Sequence, residues 1–128
     1  MNQNRFKFRV WDKEAGLFTF DYLIHQTGRV FVMYVGYTLV DPKSKEYVIQ
    51  QFTGLKDKNG IEIYEGDLVK FKYEMSNCEW EIEDGQEVFF DDGIFYFSRE
   101  SKFATNDCNF DRKSLEVVGN IFEGVNKI

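Results

Sequence analysis

The chain has 128 residues, 18% of them aromatic, with two cysteines, one histidine and a formal net charge of −6, enough for a ring-rich core that needs neither disulfides nor a structural metal. The charge is uneven: seven basic and five acidic residues from Met1 to Thr53, four of each from Gly54 to Tyr73, and five basic against thirteen acidic from Glu74 to Ile128, or +2, 0 and −8. This balance argues against a broad phosphate-binding surface, because neutralising phosphates with Lys and Arg supplies most nonspecific nucleic-acid affinity.

"RFKFRVW" alternates, with Arg5, Lys7 and Arg9 on one face of an extended strand and Phe6, Phe8 and Val10 on the other, so a half-buried strand is expected. Charged residues at this spacing leave no apolar leader segment, and no later run reaches the length of a membrane span; a cytoplasmic protein is expected. "DKEAG" reads as a turn, "LFTFDYLI" and "RVFVMYVGYTLV" as strand-forming runs, and "HQTG" between them as a hairpin loop. "DPKSKE" supplies the next turn and "YVIQQF" the next strand.

In "TGLKDKNGIEIYEGDLVKF" two turn signals flank short apolar runs. Asn59-Gly60 suits a tight hairpin turn with positive φ, Ile61 and Ile63 alternate with Glu62 and Tyr64, and "EGD" turns the chain into a strand carrying Leu68, Val69, Phe71 and Tyr73. "CEWEIE" alternates, "EDGQ" turns into "EVFF", and "DDG" turns into "IFYFS". "RESKFATNDCNFDRKS" carries weak signals for a single short helix, and "SLEVVGNIFE" closes as a strand in which Gly119-Asn120 suggests a bulge or a close backbone approach. Short strands with turns every eight to twelve residues predict a mainly β fold, all-β or α+β with little helix. One domain over residues 1–128 is expected: a small SH3-like or irregular β-barrel over 51–123, with additional N-terminal strands.

The order "KFRVWDK", "TGLKDKNGIEIYEGDLVKF", "EVFFDDGIFYF" and "EVVGNIFE" resembles the YopX family of small proteins from phages and prophages of Gram-positive bacteria. Gly54, Leu55, Lys56, Asp57, Asn59, Gly60, Glu62, Tyr64, Glu65, Gly66 and Asp67 carry its central motif; Asp92, Gly93 and Gly119-Asn120-Ile121 match later blocks, and Thr19 to Val48 contributes little. The resemblance implies a phage or prophage origin, a soluble β-rich fold and residence in the bacterial host cytoplasm. It supplies no activity and no catalytic residues.

The residues themselves offer several surfaces. Lys56, Asp57, Glu62, Tyr64, Glu65 and Asp67 are brought together by two turns as a binding loop, or else serve those turns, with Asp57 and Asp67 accepting backbone amides. An EF-hand is excluded, since counting from Asp57 places Gly60 fourth and Leu68 twelfth. Glu79, Glu81 and Glu83, with Asp84, Glu87, Asp91 and Asp92, form a carboxylate array for a basic partner, or a solvated sheet face. Arg5, Lys7 and Arg9, joined by Lys70 and Lys72, are the nucleic-acid alternative, or an ordinary charged edge.

His25 with Cys78 and Cys108 does not complete a zinc site, and the two cysteines are expected as free, buried thiols. No phosphate-binding glycine loop is present, so neither metal nor other cofactor is expected. A non-enzymatic module that binds a host or phage protein is the favoured reading. Its alternatives are nucleic-acid binding and a carboxylate-dependent hydrolase, with head-to-tail self-association permitted by the opposed charges.

Overall fold

A computed structural model of the chain describes residues 7–19, 22–24, 26, 30–34, 38–40, 47–75, 78–97 and 110–125. These residues form β1 (Phe8–Asp12), β2 (Leu17–Thr19), β3 (Tyr22–Ile24), β4 (Val30–Tyr34), β5 (Thr38–Val40), β6 (Tyr47–Lys56), β7 (Glu62–Tyr64), β8 (Asp67–Met75), β9 (Cys78–Glu87), β10 (Phe89–Asp91), β11 (Ile94–Tyr96), β12 (Phe110–Asn120) and β13 (Gly124–Val125). No helix occurs among the described residues, and the antiparallel sheets curl into half-barrels, in keeping with the barrel-like β fold expected from the strand spacing. Of the segment read as a short helix, Phe110 to Ser114 is strand; Arg99 to Asn109 lie outside the described residues.

The chain divides into two compact units, one of residues 8–50 and one of residues 1–7 with 51–128, and β6 runs from the first into the second. In the smaller unit β1 lies between β2 and β6. The β1–β2 turn is the predicted "DKEAG": Asp12 Oδ1 accepts the Glu14 and Ala15 amides, the Gly16 N–H donates to the Asp12 carbonyl at 2.8 Å, and Gly16 takes a φ of 68°. Trp11 pairs with Phe18 across the strands, edge to face at 4.9 Å.

One expectation fails on β1. Val10 and Trp11 point to opposite faces yet are 0% and 7% exposed, so the strand is covered on both sides beyond Arg9. The two apolar runs that follow each form two strands, and β3, β4 and β5 make a meander. His25, in the β3–β4 connection, lies outside the described residues.

The larger unit holds a sheet ordered β13-β12-β8-β9, the β6–β7 pairing and the separate hairpin β10–β11. Ile63, Val69, Phe71, Val88, Phe97 and Leu115 form its core, with Leu55, Tyr73 and Val117 packed against them. Each such side chain stabilises the unit by about 1.5–3 kcal/mol through removal from water.

Two turn readings are corrected. "EDGQ" does not end a strand: β9 runs through it, and Glu83 to Gly85 bulge opposite the single Lys70, with Gly85 at a φ of 67°. At Asn59-Gly60 only Gly60 has positive φ (81°), in a loop closed by Asp57 and Ile61 instead of a two-residue turn. The two-residue turn with both φ positive is Asp92-Gly93, at 50° and 81°. Gly119 is the close approach expected: a Cβ there would overlap the Gly124 carbonyl.

Candidate functional site

The central motif builds a scaffold first. Asp57 is 6% exposed, and its Oδ1 accepts the Asn59 and Ile61 amides at 2.8 and 2.9 Å while Oδ2 accepts the Val117 amide at 2.9 Å. Asp67, 2% exposed, accepts the Tyr64 amide at 2.8 Å. Glu65 exchanges two bonds with Gln51: Oε1 accepts the Gln51 amide and the Glu65 amide donates to the Gln51 carbonyl, both at 3.0 Å. Tyr64 packs against Phe52 with ring centroids 5.4 Å apart. These carboxylates stitch backbone that the ladders leave unpaired, a use in which a buried acceptor stabilises strongly.

The predicted basic residues are largely committed as well. Lys7 pairs with Glu62 at 3.0 Å, Lys58 and Lys70 both with Glu116 at 3.0 and 3.3 Å, and Lys72 with Glu79 at 3.5 Å. Arg9 belongs to the smaller unit, donates from Nε to Gln50 at 2.7 Å and lies 4.4 Å from the centre of the Phe18 ring. The proposed basic stripe is therefore not a free face along Lys7 and Arg9; Arg5 lies outside the described residues, as do the side chains of Glu81 and Glu83. Cys78 is free but exposed, which corrects the buried thiol, since it sits at the very start of β9; Cys108 lies outside the described residues.

What remains is a cleft of about 830 Å³ in the larger unit, lined by Leu55 to Lys58, Asp111 to Lys113 and Leu115. Two bulges build it. On β12, Asp111 partners Lys72 and Glu116 partners Lys70, so Arg112 to Leu115 stand opposite the single Phe71. On β6, Phe52 partners Tyr64 and Lys56 partners Glu62, so Thr53 to Leu55 stand opposite the single Ile63.

A hydroxyl repairs the hydrogen bonding at each bulge. Ser114 Oγ donates to the Asp111 carbonyl at 2.6 Å and accepts the Lys72 amide at 2.7 Å; Thr53 Oγ1 donates to the Ile63 carbonyl at 2.7 Å and accepts the Leu55 amide at 3.2 Å. The Lys58 amide donates to the Leu115 carbonyl at 2.9 Å, tying the two rims together. Arg112 and Lys113 are thereby lifted from the ladder onto the wall of the cleft and exposed.

Among the described residues, Lys56, Arg112 and Lys113 have no ion-pair partner, and all three line this cleft. Its volume is that of a ligand-sized site, and the half-buried Leu55 gives it an apolar wall, with the core residue Leu115 beneath. Glu116, at its edge, has a carboxyl held below its ordinary value of 4.5, first by the hydrogen bond from Lys58, against a desolvation that raises it, and further by Lys70. Among the described residues no three His, Cys, Asp or Glu side chains are placed to hold a metal ion.

Lys56 was visible in the sequence as part of the motif, but Arg112 and Lys113 were not. They sit in the least regular segment, and only a bulge that no local signal announces brings them beside Lys56.

No helix of the described residues is long and apolar enough to cross a membrane. No curated protein matches the chain. A family model described as YopX protein matches residues 7–127, nearly the whole length, with the Asp57, Glu65 and Asp67 scaffold inside it. On that match the chain belongs to the YopX family.

Proposed function

We propose that this YopX-family chain is a phage or prophage accessory protein of the host cytoplasm that works by binding a host or phage protein, and that its cleft takes an acidic segment of that partner. One observation carries this reading: Lys56, Arg112 and Lys113 are the described cations of the larger unit left without an ion pair, and they converge on one cleft with an apolar wall. Carboxylates of the partner meet the three cations at close range, where charge–charge attraction is not screened, while an apolar neighbour lies against Leu55. A net charge of −6 repels such a partner at long range, so the contact depends on local complementarity.

The rival readings find less support. Asp57 and Asp67, the buried carboxylates of the motif, accept three backbone amides and one respectively and are poorly placed to move a proton or hold a substrate. Lys70 and Lys72, offered for nucleic acid, are held by Glu116 and Glu79.

The test is fluorescence anisotropy with a labelled peptide of alternating Glu and Phe, against wild type and the Lys56→Glu, Arg112→Glu, Lys113→Glu triple variant. Binding that weakens about tenfold or more in the variant is expected, as for charge reversal in a paired interface. Equal binding by both proteins overturns the reading. Binding of a DNA duplex by wild type, with affinity falling steeply in salt and lost in the variant, transfers the cleft to nucleic acid.

A further inference from the structure

The same unit that holds the cleft also carries a segment of the chemistry the cleft selects. The β10–β11 hairpin ends in Phe90-Asp91-Asp92-Gly93-Ile94, in which Phe90 is 48% and Ile94 43% exposed and Asp91, Asp92 and Gly93 are all exposed. Asp91 and Asp92 have no ion-pair partner among the described residues. The hairpin pairs with no other strand of the described residues, yet it is held in shape by Phe89 stacked on Tyr96 at 5.2 Å and Phe90 tilted against Phe95 at 4.9 Å. A two-stranded hairpin is marginal alone, and these cross-strand ring pairs stiffen it into a preformed acidic and apolar probe.

We infer that the cleft of one copy takes the Phe90–Ile94 hairpin tip of a second copy, so that the chain associates head to tail. This rests on the reading of the cleft as a site for an acidic segment, and names its partner. Asp91 and Asp92 pair with Lys56, Arg112 and Lys113, and Phe90 and Ile94 cover Leu55.

The chain's own hairpin does not fill its cleft, since no hairpin residue lines it. The hairpin is rooted where the Val88 amide donates to the Asp67 carbonyl at 2.8 Å and the Gly66 amide to the Val88 carbonyl at 2.7 Å. The cleft opens at the other end of the β8–β12 ladder, where Lys72 partners Asp111. Donor and acceptor surfaces are thus different patches of one unit, which is a heterologous contact that propagates into a ring or an open chain.

Sedimentation velocity of the full chain over a range of concentrations tests this, with three proteins: wild type, Asp91→Lys with Asp92→Lys, and Arg112→Asp with Lys113→Asp. The wild type is expected to sediment faster as concentration rises and to lose this in high salt, while each variant alone stays a monomer. An equimolar mixture of the two variants is expected to associate again, because the basic tip of one now meets the acidic cleft of the other. That recovery separates docking from damage to the fold, since two misfolded variants do not restore each other.

A wild type that stays monomeric at every concentration, or a mixture that does not recover, overturns the inference. The peptide experiment above then distinguishes the two levels. Peptide binding without self-association leaves the cleft as a site for another protein, and failure of both removes the cleft reading itself.

Discussion

The Asp57 carboxylate and the Val117 backbone amide, sixty residues apart in the chain, meet at 2.9 Å. The same carboxylate accepts two amides of its own loop, so one buried side chain fixes the loop and anchors it to β12. Asp57→Ala leaves three amides without their acceptor and is expected to cost about 3 kcal/mol, with Asp57→Asn falling between it and wild type. Chemical denaturation measures this, and a loss below about 1 kcal/mol for the alanine variant contradicts the role assigned to the bond.

Gly119 lies against the Gly124 carbonyl, where β12 meets β13. Gly119→Ala is expected to destabilise by about 3 kcal/mol, since the obstacle is backbone and cannot rotate away. Gly93→Ala is expected to cost less, through its φ of 81° alone, because a Cβ there meets open space. Thermal unfolding of the two variants should rank them in that order.

The carboxyl of Glu116 titrates below its ordinary value chiefly through Lys58, with Lys70 adding to it. A depressed folded-state pKa gives stability that is complete above the unfolded value and is lost as pH falls through the folded one. Melting temperature should therefore decline from about pH 4.5 downward. In Glu116→Gln that acid limb should be shallower, and an identical limb in the two proteins counts against the ion-pair cluster.

The Ser114 hydroxyl takes the place of a ladder acceptor for the Lys72 amide. Ser114→Ala is expected to lose about 1–2 kcal/mol and to expose that amide to hydrogen exchange, whereas Ser114→Thr retains the bond. Unchanged protection at Lys72 in the alanine variant would show that water or another group already serves it.

Much of the sheet was legible in the sequence because alternation and turn chemistry act over a few residues. "DKEAG", "EGD" and "DDG" all turn the chain where expected, and Gly119-Asn120 marks a real close approach. The misreadings share a cause. Glu83 to Gly85 carry a turn-like composition but are absorbed as a bulge, because β8 offers pairing on both sides of them and a strand can loop out residues without ending. Arg9 was read as solvated from its charge, but Gln50, forty-one residues away, and the Phe18 ring claim its guanidinium. The cleft was the least legible feature, since it requires Lys56 to meet Arg112 and Lys113 across a register shift that depends on both strands.

The β12 bulge separates what the protein is from what it displays. Arg112 and Lys113 hang outside the pairing that holds Asp111 to Lys72 and Glu116 to Lys70, while Ser114 closes the gap beneath them. Replacing those two side chains leaves the ladder untouched, so the exposed loop can change its chemistry without renegotiating the fold. The identity of the two displayed side chains and the integrity of the sheet beneath them are thus separate properties of one strand.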